Sequence, residues 1–181
     1  MKKSFLTIIA AVAISLTAFA QKQISSNTHM KFFSTTPAED IEANNYKAVS
    51  TLDTSTGDIV FSVPMQSFEF EKALMQEHFN SKNFLNTKAN PKAKLTGKVT
   101  NLDNVKFNTD GTYTAVVEGD LTINGVSKPI KENVTFNVEG GKISLSSKFN
   151  VTLADYEVAF KKGKPSTNIA KTVEISVEAN Y

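Results

Sequence analysis

The side chains equipped for chemistry are few in this chain, and their spacing keeps them apart. The 181 residues include two His and no Cys, so a thiolate nucleophile, a disulfide and a Cys-ligated metal are all excluded. His29 and His78 stand far apart in sequence, and no H-E-x-x-H, G-x-S-x-G or P-loop pattern occurs. Glu39, Asp40 and Glu42 form a small acidic cluster that could attract a cation weakly but reads more simply as a solvated loop. Lys161, Lys162 and Lys164, beside Gly163 and Pro165, read as another solvated loop, with docking of anionic headgroups the weaker alternative. Catalysis needs a constellation of groups, and none is spelled out here. The expectation is therefore a protein that binds and does not catalyse, without a cofactor and without a metal.

Composition narrows the partner. The chain opens with Lys2 and Lys3, an apolar run from Phe5 to Leu16, and Ala18-Phe19-Ala20, the three parts of a cleavable secretory signal. The apolar run is shorter than the ~20 residues that a spanning helix needs. The expected domains are a signal peptide over 1–20 and one domain over 21–181, with a mature start at Gln21, no membrane span in the mature protein, and a periplasmic or secreted location. Without Lys2 and Lys3 the 20 basic residues fall to the number of the 18 acidic ones, so the mature domain is neutral. It contains no Arg, and with neither net positive charge nor forked guanidinium donors it lacks the footprint of a nucleic-acid binder. The oligomeric state is open, a homodimer included.

The elements that must position any site are strands. Asn124-Gly125 sits between two alternating runs, the strongest short-range sign of a two-residue hairpin, because both turn positions need φ > 0. Pairing Ile123 with Val126 places Val117, Leu121, Ile130, Val134 and Phe136 on one apolar face and sets Glu118 across from Lys131 on the wet face. Lys128 and Glu132 fall on the apolar side, where an unpaired charge is costly. Either Pro129 marks a bulge or an edge position, which is the preferred reading, or the enclosed space is partly polar.

Further strands follow from the same alternation: Met30 to Phe33 after a frayed lead-in over residues 21–26, a more weakly patterned Ile41 to Asp53, Ile59 to Val63, Ala93 to Val99, Lys142 to Leu153 and Lys171 to Tyr181. Glu139-Gly140-Gly141-Lys142 forms a second tight turn. Between Ser67 and Ser81 the period changes: Phe70, Leu74, Met75 and Phe79 share one side of a predicted helix, with Ser67 as its N-cap. His78 lies on the margin of that side and reads as a partly buried, hydrogen-bonded side chain. Ala154 to Asn168 is read as irregular. The fold class is all-β, an antiparallel meander of about eight strands, and closure into a barrel would remove its two edges. The single amphipathic helix must lie across the sheet or plug one end.

Three stretches, LMQEHFNSKNFLNTKANPKAKLTGKV from Leu74, VEGDLTINGVSKPIKENVTF from Val117 and KFNVTLADYEV from Lys148, resemble the YceI-like domain in order and spacing. The resemblance covers roughly residues 28 to 181, and GDLTINGVSKPI is its most specific part. It implies a lipocalin-like, eight-stranded antiparallel barrel exported to the periplasm, with a long polyisoprenoid or similar amphiphile in its tunnel and the helix near the tunnel mouth. IEANNYKAVSTLD, the second strand region, is more polar than the family's common form, and the family offers no catalytic residues to transfer.

Two kinds of binding protein fit these observations. A carrier would need an interior too large for its own side chains to fill. A solidly packed structural or stress-related interaction module would have no internal ligand and would dock partners outside. For a carrier, alternation nominates Phe61, Val117, Phe136, Leu145 and Phe149 as ligand-binding wall residues, with Leu74 or Phe79 at the mouth.

Overall fold

The structure, a computed structural model, describes residues 22–36, 39–158, 160–161, 164–165 and 170–181. The expected signal segment, the start at Gln21 and the side chains of the Lys161–Lys164 run lie outside the described residues. Three strands come first, β1 (Lys22–Thr35), β2 (Asp40–Asp53) and β3 (Asp58–Pro64), followed by the two-residue β4 (Glu69–Phe70) and the helix α1 (Ala73–Asn80). Next are β5 (Lys92–Val99), β6 (Gly111–Ile123), β7 (Val126–Glu139) and β8 (Lys142–Thr152). The short β9 (Phe160–Lys161) and β10 (Lys164–Pro165) pair with each other, and β11 (Thr172–Asn180) completes the chain. The eight long strands are antiparallel in the order β1-β11-β8-β7-β6-β5-β3-β2, and β1 pairs with β2 to close the ring. Closure gives every long strand a ladder on each side, although β8 covers only the Thr135–Glu139 part of β7.

Local chemistry explains the order. Asn124 and Gly125 have φ of 52° and 79°, the left-handed values that a two-residue hairpin turn requires. From Ile123↔Val126 the β6–β7 ladder runs without a shift to Gly111↔Val138, and Lys131 Nζ lies 2.7 Å from Glu118 Oε1. Of the two readings of Pro129, a bulge or an edge position, the bulge is absent and the edge position holds. Pro129 pairs with Asp120 on one side only, because β8 joins β7 only over Thr135–Glu139, and a strand with one neighbour tolerates Pro. On the other edge of β6, Gly97 of β5 sits directly opposite Gly119, and a Cβ on Gly119 would lie 2.3 Å from the Thr96 carbonyl oxygen. The β5 and β6 backbones thus approach more closely than any side chain allows, as at the tight corner of a barrel.

The front of the chain departs from expectation. Lys22–Ser25 are not frayed but pair with Ser50–Asp53 of β2. Two register shifts follow along β1–β2, so Asn45 and Ala48, three residues apart, are both fully buried. The buried hydroxyls satisfy one another: Thr28 Oγ1 lies 3.2 Å from both Ser25 Oγ and Ser50 Oγ, and Ser50 donates to the Tyr181 hydroxyl at 2.8 Å. Burial pushes the Tyr181 phenol up to about 12, partly opposed by that bond from Ser50.

The helix is shorter than its periodicity predicts. It starts at Ala73 after Lys72, with no side-chain cap, and Ser67 instead ends a 3-10 turn, Met65–Ser67. The intervening chain is extended because β4 pairs with Ala43 and Asn44, which lets Phe68 and Phe70 both face the interior.

Candidate functional site

One half of the barrel is solid. Leu52, Ile59, Val99, Phe136 and Val138 are each at most 2% exposed, and the Phe107 ring stands edge-on to Phe136 at 5.2 Å. The other half, under α1, encloses a cavity of about 440 Å³ that extends from Val134 and Leu145 to the mouth. The strands make room by parting: β2 pairs with β3 only over Val49–Leu52, and β7 with β8 only over Thr135–Glu139. Near the mouth β4 takes the place beside β2, and Asn45 Nδ2 bridges the gap by donating to the Pro64 carbonyl at 2.8 Å. Over the mouth lies an aromatic cap, Phe32, Phe68, Phe70, Phe79 and Phe84, with ring centroids 5.0 to 6.1 Å apart. These contacts, tilted or edge-on except for the stacked Phe32–Phe79 pair, fix the cap without filling the space beneath it.

Of the wall residues nominated from alternation, Phe61, Val117, Leu145 and Phe149 line this cavity, and Phe79 reaches it from α1. Phe136 does not, because it is fully buried in the solid half: alternation fixes a residue's side of the sheet but not its depth along the barrel. Leu74 does not either. It is 61% exposed in the first turn of α1, while Met75 and Phe79 face inward. Sequence reasoning missed Met30, Phe32, Phe68, Ile130 and Ile175, which also line the space. The clustering of Phe before and after the helix was the available signal for the cap.

The lining is not wholly apolar. Glu132 of β7 and Ser147 of β8 are in the wall, so the enclosed space is partly polar. Burial raises the Glu132 carboxyl above its usual range, and among the described residues it has no hydrogen-bond or ion-pair partner. Ser147 Oγ donates to the Asn133 carbonyl at 2.7 Å. Lys128 is exposed to solvent. His78 is exposed on the cavity rim, not partly buried as its helical position suggested.

The remaining chemical groups are engaged with one another. Glu39 pairs with Lys72, Glu42 Oε2 lies 3.3 Å from Lys31 Nζ, and Asp40 accepts from the Thr35 hydroxyl. His29 Nε2 is 2.8 Å from Asn44 Oδ1, and its ring stacks on Tyr46 at 4.6 Å. Among the described residues no three His, Asp or Glu converge as metal ligands, and no helix is long and apolar enough to cross a membrane.

Comparison with known proteins follows the same lines. The profile of the YceI-like domain matches residues 12–181. A UPF0312 protein of Pseudomonas putida strain W619 is 32% identical over 108 residues, 56% of this chain and 51% of its own length. A UPF0312 protein of Pseudomonas syringae pv. tomato is 41% identical over 64 residues, 35% of this chain and 30% of its own length. The chain thus spans about half the length, or less, of the curated relatives it matches. Among solved structures, a polyisoprenoid binding domain from Saccharophagus degradans aligns with a TM-score of 0.73 at 13% identity, over 88% of this chain and 97% of the other. BcnA of Burkholderia cenocepacia aligns with a TM-score of 0.71 at 16% identity, over 85% of this chain and 96% of the other. At such identities the two structures establish the shared barrel fold.

Proposed function

This chain belongs to the YceI-like domain family, and from that premise we propose that it is an exported, non-enzymatic carrier that holds a long apolar amphiphile, a polyisoprenoid or similar lipid, in the hollow half of its barrel. The observation that carries this reading is the cavity of about 440 Å³, walled mainly by apolar side chains and capped by phenylalanines. A cavity of about 150 Å³ holds benzene, so on that scale this one takes a chain on the order of eighteen carbons. A longer chain would continue through the mouth. Each methylene buried contributes ~0.8 kcal/mol, so affinity can come from length without a charged contact. The polyisoprenoid-binding Saccharophagus domain with the same barrel supports the ligand class. A solidly packed interaction module would not need the empty half.

Mass spectrometry of organic extracts tests the reading, using protein purified without detergent from its own host. The expected result is one amphiphile in near-stoichiometric amount. Absence of any such molecule, together with failure of the purified protein to take up prenyl lipids, would refute it. Export is tested on the same sample, whose intact mass should correspond to a chain starting at Gln21; a mass that retains residues 1–20 would refute that part alone.

A further inference from the structure

An apolar chain alone does not account for the middle of the cavity wall. Glu132 lies there opposite Val117 of β6, with Ile130 toward the mouth and Val134 toward the solid half on the same face of β7. A carboxylate at this depth has lost part of its hydration, and burial raises its pKa with no opposing cation. The neighbouring inward positions hold none: β6 presents Val117 and Leu121, and β8 presents Leu145, Ser147 and Phe149. The other charged groups that line the cavity, Lys31, Glu39, Lys94 and His78, come from β1, from the residue before β2, from β5 and from α1, toward the mouth. Lys128, two inward positions closer to the mouth, is exposed to solvent.

Ser147 reaches the same space from β8. Its hydroxyl hydrogen is committed to the Asn133 carbonyl at 2.7 Å, so its oxygen can offer the cavity only lone pairs. Glu132, when ionised, likewise only accepts. The wall thus presents two acceptors from adjoining strands and no donor at this level. An anionic headgroup would meet acceptors and like charge. An ammonium would have to shed its water where the side chains around Glu132 and Ser147 are Val117, Leu121, Ile130, Val134, Leu145 and Phe149. A hydroxyl brings the missing donor at the smallest desolvation cost.

We propose that Glu132 and Ser147 form a polar subsite that accepts a hydrogen bond from an uncharged hydroxyl of the bound amphiphile, so that the cavity prefers long-chain alcohols to hydrocarbons and to anionic lipids. The proposal rests on the carrier reading and specifies its ligand. The hydroxyl sits midway along the barrel, and the chain fills the space toward the aromatic cap.

The test uses four probes on one carbon skeleton: farnesol, farnesyl phosphate, farnesylamine and the alkane farnesane, each measured by displacement of a fluorescent apolar probe. Wild-type protein should bind farnesol about tenfold more tightly than farnesane, the ratio for one hydrogen bond to a charged acceptor, and farnesyl phosphate least well. Glu132→Leu should abolish the alcohol preference and retain farnesane. Ser147→Ala should reduce the preference, and Glu132→Gln should keep part of it while improving the phosphate. If Glu132→Leu does not fold by circular dichroism, the other two variants decide.

Equal binding of all four probes by the wild type would overturn the subsite and leave the carrier reading intact. An alcohol preference unchanged in the variants, or farnesylamine as the tightest probe, would likewise overturn it. Binding of none of the four would remove the carrier reading and the subsite together.

Discussion

The two halves of this barrel are built from the same eight strands with the same alternation, yet one is solid and the other hollow. In the solid half neighbouring strands remain hydrogen-bonded around the ring, since the short ladders Val49–Leu52 with β3 and Thr135–Glu139 with β8 both fall there. Phe107 closes that end from the β5–β6 connection, and the Ser25, Thr28, Ser50 and Tyr181 hydroxyls satisfy one another at the β1–β2 seam. Toward α1 the same strand pairs separate, and the helix, whose Phe79 packs with Phe32, Phe68, Phe70 and Phe84 from the neighbouring segments, covers the opening without filling it. The lesson is that alternation sets which side of a sheet a residue occupies, whereas the length of each ladder sets how much space is enclosed.

The largest test of this difference places one charge in each half. Phe136→Glu puts an unpartnered carboxylate where exposure is nil and also removes a buried ring, and together these should cost about 5 kcal/mol or more, comparable to the whole stability of a marginal domain. Phe149→Glu places the same charge on the cavity wall, where water can enter once a ligand has left. That variant should keep its circular dichroism spectrum and copurify with little lipid. Loss of folding in both variants would mean that the hollow half is not functionally distinct.

A smaller effect is expected at the pinch between β5 and β6. Gly119→Ala would force a methyl to within 2.3 Å of the Thr96 carbonyl oxygen and 2.4 Å of the Gly97 Cα, so the backbones must move apart. A loss of about 2 to 3 kcal/mol is expected in urea unfolding. Because Gly119 lies between Val117 and Leu121, both on the cavity wall, this loss would show that the wall is tightly built around the cavity. An unchanged midpoint would place the two strands farther apart.

How much of this was legible in the sequence depended on whether period two survived. It survives through β6, β7 and β8, and there the Asn124-Gly125 turn, the register and the Glu118–Lys131 pair all stand as the residues predict. It fails in β1 and β2, where two bulges put Asn45 and Ala48 on one face and bury Ser25, Thr28 and Ser50; a polar stretch therefore reads as frayed or weak. Between residues 67 and 73 a helical spacing of apolar residues is realised as strand, since β4 finds partners in β2 that are remote in sequence. The cavity wall was only partly legible for a similar reason. Phe61, Val117, Leu145, Phe149 and Phe79 were accessible from periodicity, but the depth of Phe136 and the outward turn of Leu74 follow from tertiary packing.

The smallest predicted effect concerns the charge that the hollow half tolerates. Burial raises the pKa of Glu132, so the folded chain holds this proton more tightly than the unfolded chain does. As pH rises from the ordinary glutamate value of 4.5, the unfolded chain gives up this proton more readily than the native one. Stability therefore falls through that window up to the raised value and stays lower above it. Glu132→Leu removes the penalty and should be more stable than wild type at neutral pH by less than about 1 kcal/mol, because the group is only partly buried. The gap between the two melting temperatures should open as pH rises from below 4.5 to neutrality. A gap that is constant with pH would mean that Leu gains only apolar contact and that the carboxylate is fully hydrated in the ligand-free cavity. A gap that opens with pH would instead mark Glu132 as a residue whose retention costs the fold stability, as expected of a group kept for what enters the cavity.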